Sequence, residues 1–246
     1  MALDQGIDTG RVRAGRLAAA ARSILSCPAE VRLVVDGIDD VTAGLDPAHL
    51  DMQDDAGRPV FSCPADSPLA TAAAGRPGAV LTLDSGLGPE GSADRDATLT
   101  LSGRLSADGA TTQCPCCPEP RVRLVLQVDH ALLSRAAAAG GEHVRVPLAA
   151  FASSEHDLNR GFLQRSAEHA NLCHQAELRR AVATTRDTRL GDVLGVHLAD
   201  LRPDGVELQW VDPTGAHTAR LRFRRPAATA RELGELLRTE LHAGLC

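Results

Sequence analysis

Residues 204–223, with the sequence DGVELQWVDPTGAHTARLRF, decide the fold of the second half of this chain. Asp-Gly at 204–205 and Pro-Thr-Gly at 213–215 are turn signals, and the residues after each turn alternate between apolar and polar. Alternation with a period of two predicts antiparallel strands joined by tight turns. An apolar run at 190–199 precedes them, so we predict three strands in a meander.

A helix is predicted on each side of this meander. On the N-terminal side, apolar residues recur at helical spacing and predict one helix over 161–183. These residues are Leu163, Ala167, Ala170, Leu178 and Ala181. On the C-terminal side a helix is predicted over 229–242, with Thr229 as its N-cap and Glu232 completing a capping box.

The first of these helices carries an unusual set of polar side chains in the segment 168–178, EHANLCHQAEL. His169 and His174 are five residues apart, about 500° of helical rotation, so they lie on adjoining flanks and are poorly placed to share one metal ion. The alternative is a structural helix whose polar residues hold neighbouring loops.

The first half of the chain is predicted to be mainly strands. Extended segments separated by turn residues lie at 31–35, 57–63, 79–83, 97–103 and 122–128. Helices are predicted over 2–26, over 67–74, and over 129–140, where paired glycines end the pattern. Five or six strands with few helices predict a small closed or split barrel, so the fold class is α+β.

Several features of residues 153–241 together resemble one known family. They are His169-Ala170-Asn171 before a second histidine, the strand DGVEL at 204–208, and ARLRF at 219–223 followed by proline and a helix. This order resembles the C-terminal domain of HugZ-type proteins, the haem-handling branch of the FMN-binding split-barrel, or pyridoxamine-phosphate-oxidase-like, superfamily. The family usually has Met and Asp where this chain has Ala170 and Cys173.

The resemblance implies two domains. Residues 1–152 would form a split barrel with an N-terminal helix, and LTLSG at 99–103 resembles a barrel strand of the family. Residues 153–246 would form the domain of helix, three strands and helix. Split barrels usually pair across one sheet face, so the resemblance also implies a homodimer with two-fold symmetry.

The resemblance also implies a haem site. Haem needs an axial ligand, usually histidine, and cations for its propionates. HugZ-type proteins take the ligand from the extreme C-terminal region, which here contains His242. Other candidates for cofactor binding are His169, His174, Asn171, Arg160, Arg165 and Arg104.

FMN is a weaker expectation than haem. A flavin phosphate needs converging Arg or Lys and Ser or Thr donors. The family's His-Thr-x-Asn-Leu segment is here SPLAT at 67–71, without His or Asn, and the nearby basic residues are reduced to Arg58, Arg76, Arg95 and Arg104. HugZ-type proteins generally lack flavin, so this loss does not exclude a haem function.

Three of the seven cysteines, Cys114, Cys116 and Cys117, form a dense cluster in the segment CPCCP. Tight cysteine clusters can hold zinc or exchange disulfides, but a second C-x-x-C is absent. The alternative is a hairpin loop kinked by proline. An odd number of cysteines without an export signal predicts reduced thiols and a cytoplasmic protein.

Composition excludes two classes of partner. A net charge of −6 argues against a general nucleic-acid binder, and 2% aromatic residues without tyrosine offer few stacking platforms. No apolar run approaches the roughly 18 residues of a membrane span.

Two main hypotheses remain. One is a homodimeric haem-binding protein of the HugZ type, with oxidative haem cleavage as the implied reaction. The other is a cofactor-free interaction or regulatory module, and an FMN-dependent oxidoreductase is a weaker third.

Overall fold

The computed structural model describes residues 3–42, 45, 50–112, 121–135, 141–185 and 188–242. The fold is α+β, as the sequence predicts. The chain forms two compact units, Met1–Gly161 and Phe162–Cys246, which we call the first and second units.

In its described part, the first unit has one antiparallel sheet of seven strands. The strands are β1 (Pro28–Val35), β2 (Met52–Asp55), β3 (Arg58–Pro64), β4 (Gly78–Ser85), β5 (Ala97–Thr112), β6 (Arg121–Arg135) and β7 (Glu142–Arg145). Their order is β1-β4-β5-β6-β3-β2, and β7 pairs with β6. The sheet curls into a half-barrel, which confirms the predicted fold class for this part of the chain. The short strands β2 and β7 were not expected from the sequence.

Helices accompany this sheet and close its core. They are α1 (Leu3–Ser26), α2 (Pro68–Ala73) and α3 (Leu148–Phe151), and a short 3-10 turn follows at Ser154–His156. Ala18, Ala21 and Ile24 on α1 are buried together with alternate leucines of the strands. An apolar run predicted the strand at 79–83, and in β4 burial alternates along it, with Leu81 and Leu83 fully buried.

Close packing of two strands explains why the LTLSG segment ends in a glycine, Gly103. The pairing of β5 with β6 shifts register between Ser102 and Gly103, which marks a bulge. A Cβ atom at Gly103 would lie 1.9 Å from the carbonyl oxygen of Gln127. Only glycine allows the two long strands to approach at this point.

The helix predicted over 129–140 is wrong for its described part. Residues 129–135 continue β6, where Ala131 and Leu133 are buried at alternate positions. This end of β6 pairs with β5 on one side and with β7 on the other. Cross-strand pairing outweighs the helix propensity of an alanine-rich segment.

The second unit has the predicted order of helix, three strands and helix. Its elements are α4 (Arg160–Cys173), whose first two residues belong to the first unit, α5 (Gln175–Thr185), β8 (Gly195–Arg202), β9 (Gly205–Asp212), β10 (Gly215–Arg222) and α6 (Ala230–His242). The strands form an antiparallel meander. The Thr229 hydroxyl accepts the Glu232 N–H at 3.2 Å, as an N-cap does, while the Glu232 carboxylate accepts the N–H of Ala228.

The single helix predicted over 161–183 is two helices, because the helix is interrupted at His174. The Gln175 side-chain amide donates to the Asn171 carbonyl at 2.9 Å. An unbroken helix would offer that carbonyl to the backbone N–H of residue 175. No helix within the described ranges is both long and apolar enough to cross a membrane.

Candidate functional site

The residues predicted to bind a cofactor are divided between the two units. They are Arg104 and Arg160 in the first unit, and Arg165, His169, Asn171, His174 and His242 in the second. His242 ends α6, but its side chain lies outside the described part of the structure. Cys114, Cys116 and Cys117 also lie outside it, so their metal or redox role stays a prediction.

His169 and His174 lie closer together than their spacing predicts. Their ring centroids are 5.2 Å apart, and the rings meet edge to face. The interruption at His174 permits this contact. Both rings and the neighbouring Cys173 thiol are exposed. Across the described ranges, no group of three or more His, Cys, Asp or Glu side chains could hold a metal ion.

Asn171 binds the edge of a strand in its own unit. Its amide donates to the Leu198 carbonyl at 2.9 Å and accepts the Leu198 N–H at 2.7 Å. One turn later, the Gln175 amide donates to the Val196 carbonyl at 2.7 Å. The two amides occupy the backbone groups that a further strand would pair with on β8. These contacts support the structural alternative for this helix.

Arg165 and Arg104 lie on exposed surfaces. Arg165 projects from α4. Arg104 on β5 donates to the Arg76 carbonyl at 3.3 Å and lines a shallow groove of about 330 Å³ beside Val34 and Val80. An open groove of this kind holds a small ligand weakly, because it removes little of the ligand from water.

A larger cavity of about 410 Å³ lies within the first unit, between α1, the loop 86–96 and the segment 155–160. Its volume is in the range of small-molecule sites. The apolar part of its lining includes Ala20, Ile24, Leu87, Ala97 and Leu133. The charged or ionisable part consists of Asp94, Arg135, Glu155, His156 and Arg160.

Arg22, which is 1% exposed, fixes the chain on both sides of His156. Its Nη1 donates to the carbonyl oxygens of Phe151 at 3.2 Å and Ser153 at 3.4 Å. Its Nη2 pairs with the Asp157 carboxylate at 2.9 Å. The segment that carries His156 is therefore anchored to α1 by charge-assisted hydrogen bonds.

Asn159 adds a second anchor to the same segment. Its side-chain amide donates to the Ser26 hydroxyl and to the His156 carbonyl, each at 2.9 Å. Ser26 in turn donates to Asp54, whose other oxygen accepts the Gly57 N–H at 2.7 Å. The backbone of His156 is thus held by a buried network, which leaves only its side chain to face the cavity.

The polar groups of this cavity differ in whether they have partners. The Arg160 Nη1 is 2.7 Å from Asp94 Oδ2. The half-buried His156 imidazole and the guanidinium of Arg135 have no hydrogen-bond or ion-pair partner among the described residues, and neither has the Glu155 carboxylate. An imidazole and a guanidinium are therefore available to a ligand.

A second cavity of the first unit, of about 360 Å³, differs in this respect. Its lining includes Arg58, which pairs with Asp55 at 2.6 Å, and Asp108, which pairs with Arg123 at 2.8 Å. The side-chain oxygen of Gln127, also at this cavity, accepts a hydrogen bond from Arg76 Nη2 at 2.9 Å. Because its polar groups already have partners, we take the 410 Å³ cavity as the candidate site.

No family model and no curated protein matches this chain. Among solved structures, the chain is similar to a heme binding protein from Mycobacterium smegmatis, with 16% identity, a TM-score of 0.39, and 93% of this chain and 97% of that chain covered. It is also similar to a protein of unknown function from Agrobacterium tumefaciens, with 18% identity, a TM-score of 0.32, and 90% and 94% covered. At these TM-scores neither similarity supports an argument about function.

Of the residues at this cavity, Arg160 was predicted from the sequence as a cofactor-binding residue, whereas His156 and Arg135 were not. The sequence offered one signal, the polar run at 153–157 directly after the apolar pair Phe151 and Ala152. Arg135 ends β6, where it pairs with Ala97 of β5, another residue that lines the cavity, and with Glu142 of β7. Such a placement depends on strand register, which one sequence does not reveal.

Proposed function

We propose that this protein binds haem in the 410 Å³ cavity, with the His156 imidazole as iron ligand and Arg135 paired with a propionate. The observation that carries the proposal is the presence, in one partly apolar cavity, of an imidazole and a guanidinium without partners among the described residues. These are the groups that haem iron and haem carboxylates require. Bound haem would supply an iron centre for oxygen chemistry, and the protein would supply the ligand, the cation and the apolar wall.

The residues present fit haem in three respects. The apolar wall can bury part of the macrocycle, at roughly 25 cal/mol for each Å² removed from water. His156 is anchored through its backbone, so ordering it on binding costs little. Arg135 provides a cation that no carboxylate in the described ranges already occupies.

FMN fits this cavity less well. Its phosphate would need several N–H and O–H donors around one dianion. The Ser23 hydroxyl at this cavity donates to the Ala19 carbonyl at 2.7 Å, and the Asn159 amide is used by Ser26 and His156. An FMN-dependent oxidoreductase therefore remains the weaker alternative.

We also infer that the chain is a diverged HugZ-type member of the split-barrel superfamily. The half-barrel followed by a domain of helix, three strands and helix supports this inference, together with the resemblance of residues 153–241. The implied reaction is oxidative haem cleavage. Its test is loss of the Soret band of the haem complex when a reductant is added in air, compared with the same addition under argon.

The haem proposal is tested by titrating the purified protein with haem and following the Soret band. We expect saturable binding of one haem per protomer, with the Soret maximum shifted by His156→Ala. His242→Ala, His169→Ala and His174→Ala test the ligands that the sequence suggests. Loss of the shift in one of these three variants, with His156→Ala unchanged, would transfer the ligand role to that residue.

A second candidate function is a cofactor-free interaction module, and one observation favours it. Val34 and Val80 are opposite each other on β1 and β4, and are 66% and 41% exposed. Adjacent exposed valines on a sheet face form an apolar surface suited to another protein. We propose a second copy of this chain as the partner, which would give the homodimer that the sequence suggests. A non-saturable response to haem would leave this function in place.

We further propose that the protein works in a reducing compartment such as the cytoplasm. Cys27, Cys63 and Cys173 form no disulfide bond among the described residues. Burial raises the pKa of the Cys63 thiol, which keeps that group protonated and unreactive. Mass spectrometry after alkylation of freshly lysed cells would show these cysteines blocked as thiols, whereas disulfide-linked peptides would contradict the assignment.

A further inference from the structure

We propose that Asp94 is a competing carboxylate built into the haem cavity, so that the cavity selects ligands with two anionic groups. One ligand carboxylate would pair with Arg135, and the second would displace Asp94 from Arg160. This inference rests on the proposed haem function and adds the ligand class to it.

The Arg160 pair is weak enough to exchange. Its two side chains are 57% and 49% exposed, so water screens their attraction although Nη1 and Oδ2 are 2.7 Å apart. Exposed pairs of this kind contribute little to stability, so a ligand carboxylate can replace Asp94 at a small cost. The pair of Arg22 with Asp157 differs, because the guanidinium of Arg22 is 1% exposed and also binds two backbone carbonyls.

The loop that carries Asp94 is internally bonded, so the carboxylate is held near Arg160. The Leu87 N–H donates to the Ser85 hydroxyl at 3.2 Å, and Arg95 Nε donates to the Gly88 carbonyl at 3.1 Å. Gly88 has a φ of +71°, which glycine adopts without strain. In the exchange we therefore expect the long Arg160 side chain to turn to the ligand, while the loop stays in place.

The two arginines define the ligand class. A neutral amphiphile would leave the Arg160 pair intact and gain no ion pair at Arg135. A monoanion is satisfied by Arg135 alone, because that guanidinium has no partner among the described residues. A dianion gains a second charge-assisted contact, reduced by the cost of releasing Asp94. The two propionates of haem meet this requirement.

The test is a double-substitution cycle on haem affinity. We expect Asp94→Asn to tighten haem binding ~2- to 5-fold, because the competitor for Arg160 is gone. In an Arg160→Gln background the same substitution is expected to change nothing. Haem dimethyl ester, which lacks both carboxylates, is expected to bind Asp94→Asn and the unchanged protein equally.

Two matched controls separate this exchange from a general effect of charge. Glu155→Gln removes another carboxylate that lines the cavity, and Asp96→Asn removes one from the same loop. Each should change haem affinity less than Asp94→Asn, and its effect should persist in the Arg160→Gln background. Equal gains from all three substitutions, or a gain from Asp94→Asn that survives Arg160→Gln, would overturn the inference.

The same experiment tests the exchange at Asp94 and the proposed haem binding separately. If the unchanged protein binds haem saturably through His156 but Asp94→Asn has no effect, the haem function stands and the exchange is refuted. If the unchanged protein does not bind haem, both are refuted.

Discussion

At the scale of the residue, burial shows which arginines stabilise the fold, and the sequence does not distinguish them. Arg16 and Arg22 lie on the same predicted helix and have the same chemistry, but the first is exposed and the second is 1% exposed. Arg22 connects α1 to the backbone on both sides of His156. Gly57 reflects the same packing, since its Cβ would lie 2.9 Å from Arg22 Nη1.

Replacing Arg22 with methionine should therefore destabilise the first unit. The loss leaves the buried carbonyl of Phe151 without its donor and the Asp54 carboxylate, which is 10% exposed, without the nearby cation. Such losses cost about 3–5 kcal/mol in free energy of unfolding. Urea denaturation measures the change. Arg16→Met on the same helix is the control and should change the free energy by less than about 0.5 kcal/mol. Equal effects of the two substitutions would show that the buried network does not stabilise the unit.

At the scale of the element, side chains complete the backbone pairing of β8 and shape the turn between β9 and β10. The amides of Asn171 and Gln175 bind the open edge of β8. In the turn, Asp212 Oδ1 accepts the Thr214 N–H at 2.8 Å and the His217 Nε2 at 2.9 Å. The alternating pattern predicted these strands. It did not predict which side chains would form hydrogen bonds with the backbone groups at their ends and open edge.

Asn171→Ala should expose the edge of β8. The Leu198 N–H and carbonyl lose their side-chain partner, which costs roughly 1–3 kcal/mol where water cannot replace it. Amide hydrogen exchange should show faster exchange at Leu198 and a smaller effect at the centre of β9. Leu172→Ala, at a neighbouring residue that is 82% exposed, should leave that rate unchanged. An unchanged Leu198 rate in Asn171→Ala would contradict the role of the amide.

The turn should lose stability in acid. The Thr214 hydroxyl, followed by His217, lowers the pKa of Asp212 from 3.8 to about 2. A lowered carboxyl pKa stabilises the folded turn above the ordinary pKa, and that contribution is lost as pH falls through about 2. The carbon chemical shift of the Asp212 carboxyl, followed by NMR, should titrate with this midpoint. Thr214→Val should raise the midpoint towards 3.8, and Thr218→Val should not.

At the scale of the whole molecule, the sequence predicted architecture better than it predicted the site. Period-two alternation is a local property, so the meander and the barrel strands could be recognised. The segment 129–135 was assigned wrongly because its strand partners lie elsewhere in the chain. The cavity could not be predicted for the same reason, since Arg135 and His156 meet it only through tertiary packing.

The proposed homodimer makes a prediction at this scale. Val34→Asp places a charge at the exposed valine pair in both copies, so sedimentation should show a dimer dissociation constant raised by at least about tenfold. Val12→Asp is the control, because Val12 is similarly exposed, at 48%, but belongs to helix α1 and not to the sheet. A dimer that persists unchanged in Val34→Asp would place the interface elsewhere, and a monomeric unchanged protein would exclude the homodimer.

The most direct test of the account is a haem titration of His156→Gly with and without added imidazole. If His156 binds the iron, the variant should lose the Soret maximum of the unchanged protein, and imidazole should restore it by entering the vacated place. His130→Gly, which alters a histidine on β6 that does not line the cavity, should keep the original spectrum. A His156→Gly spectrum identical to that of the unchanged protein would contradict the proposed ligand and the haem site built on it.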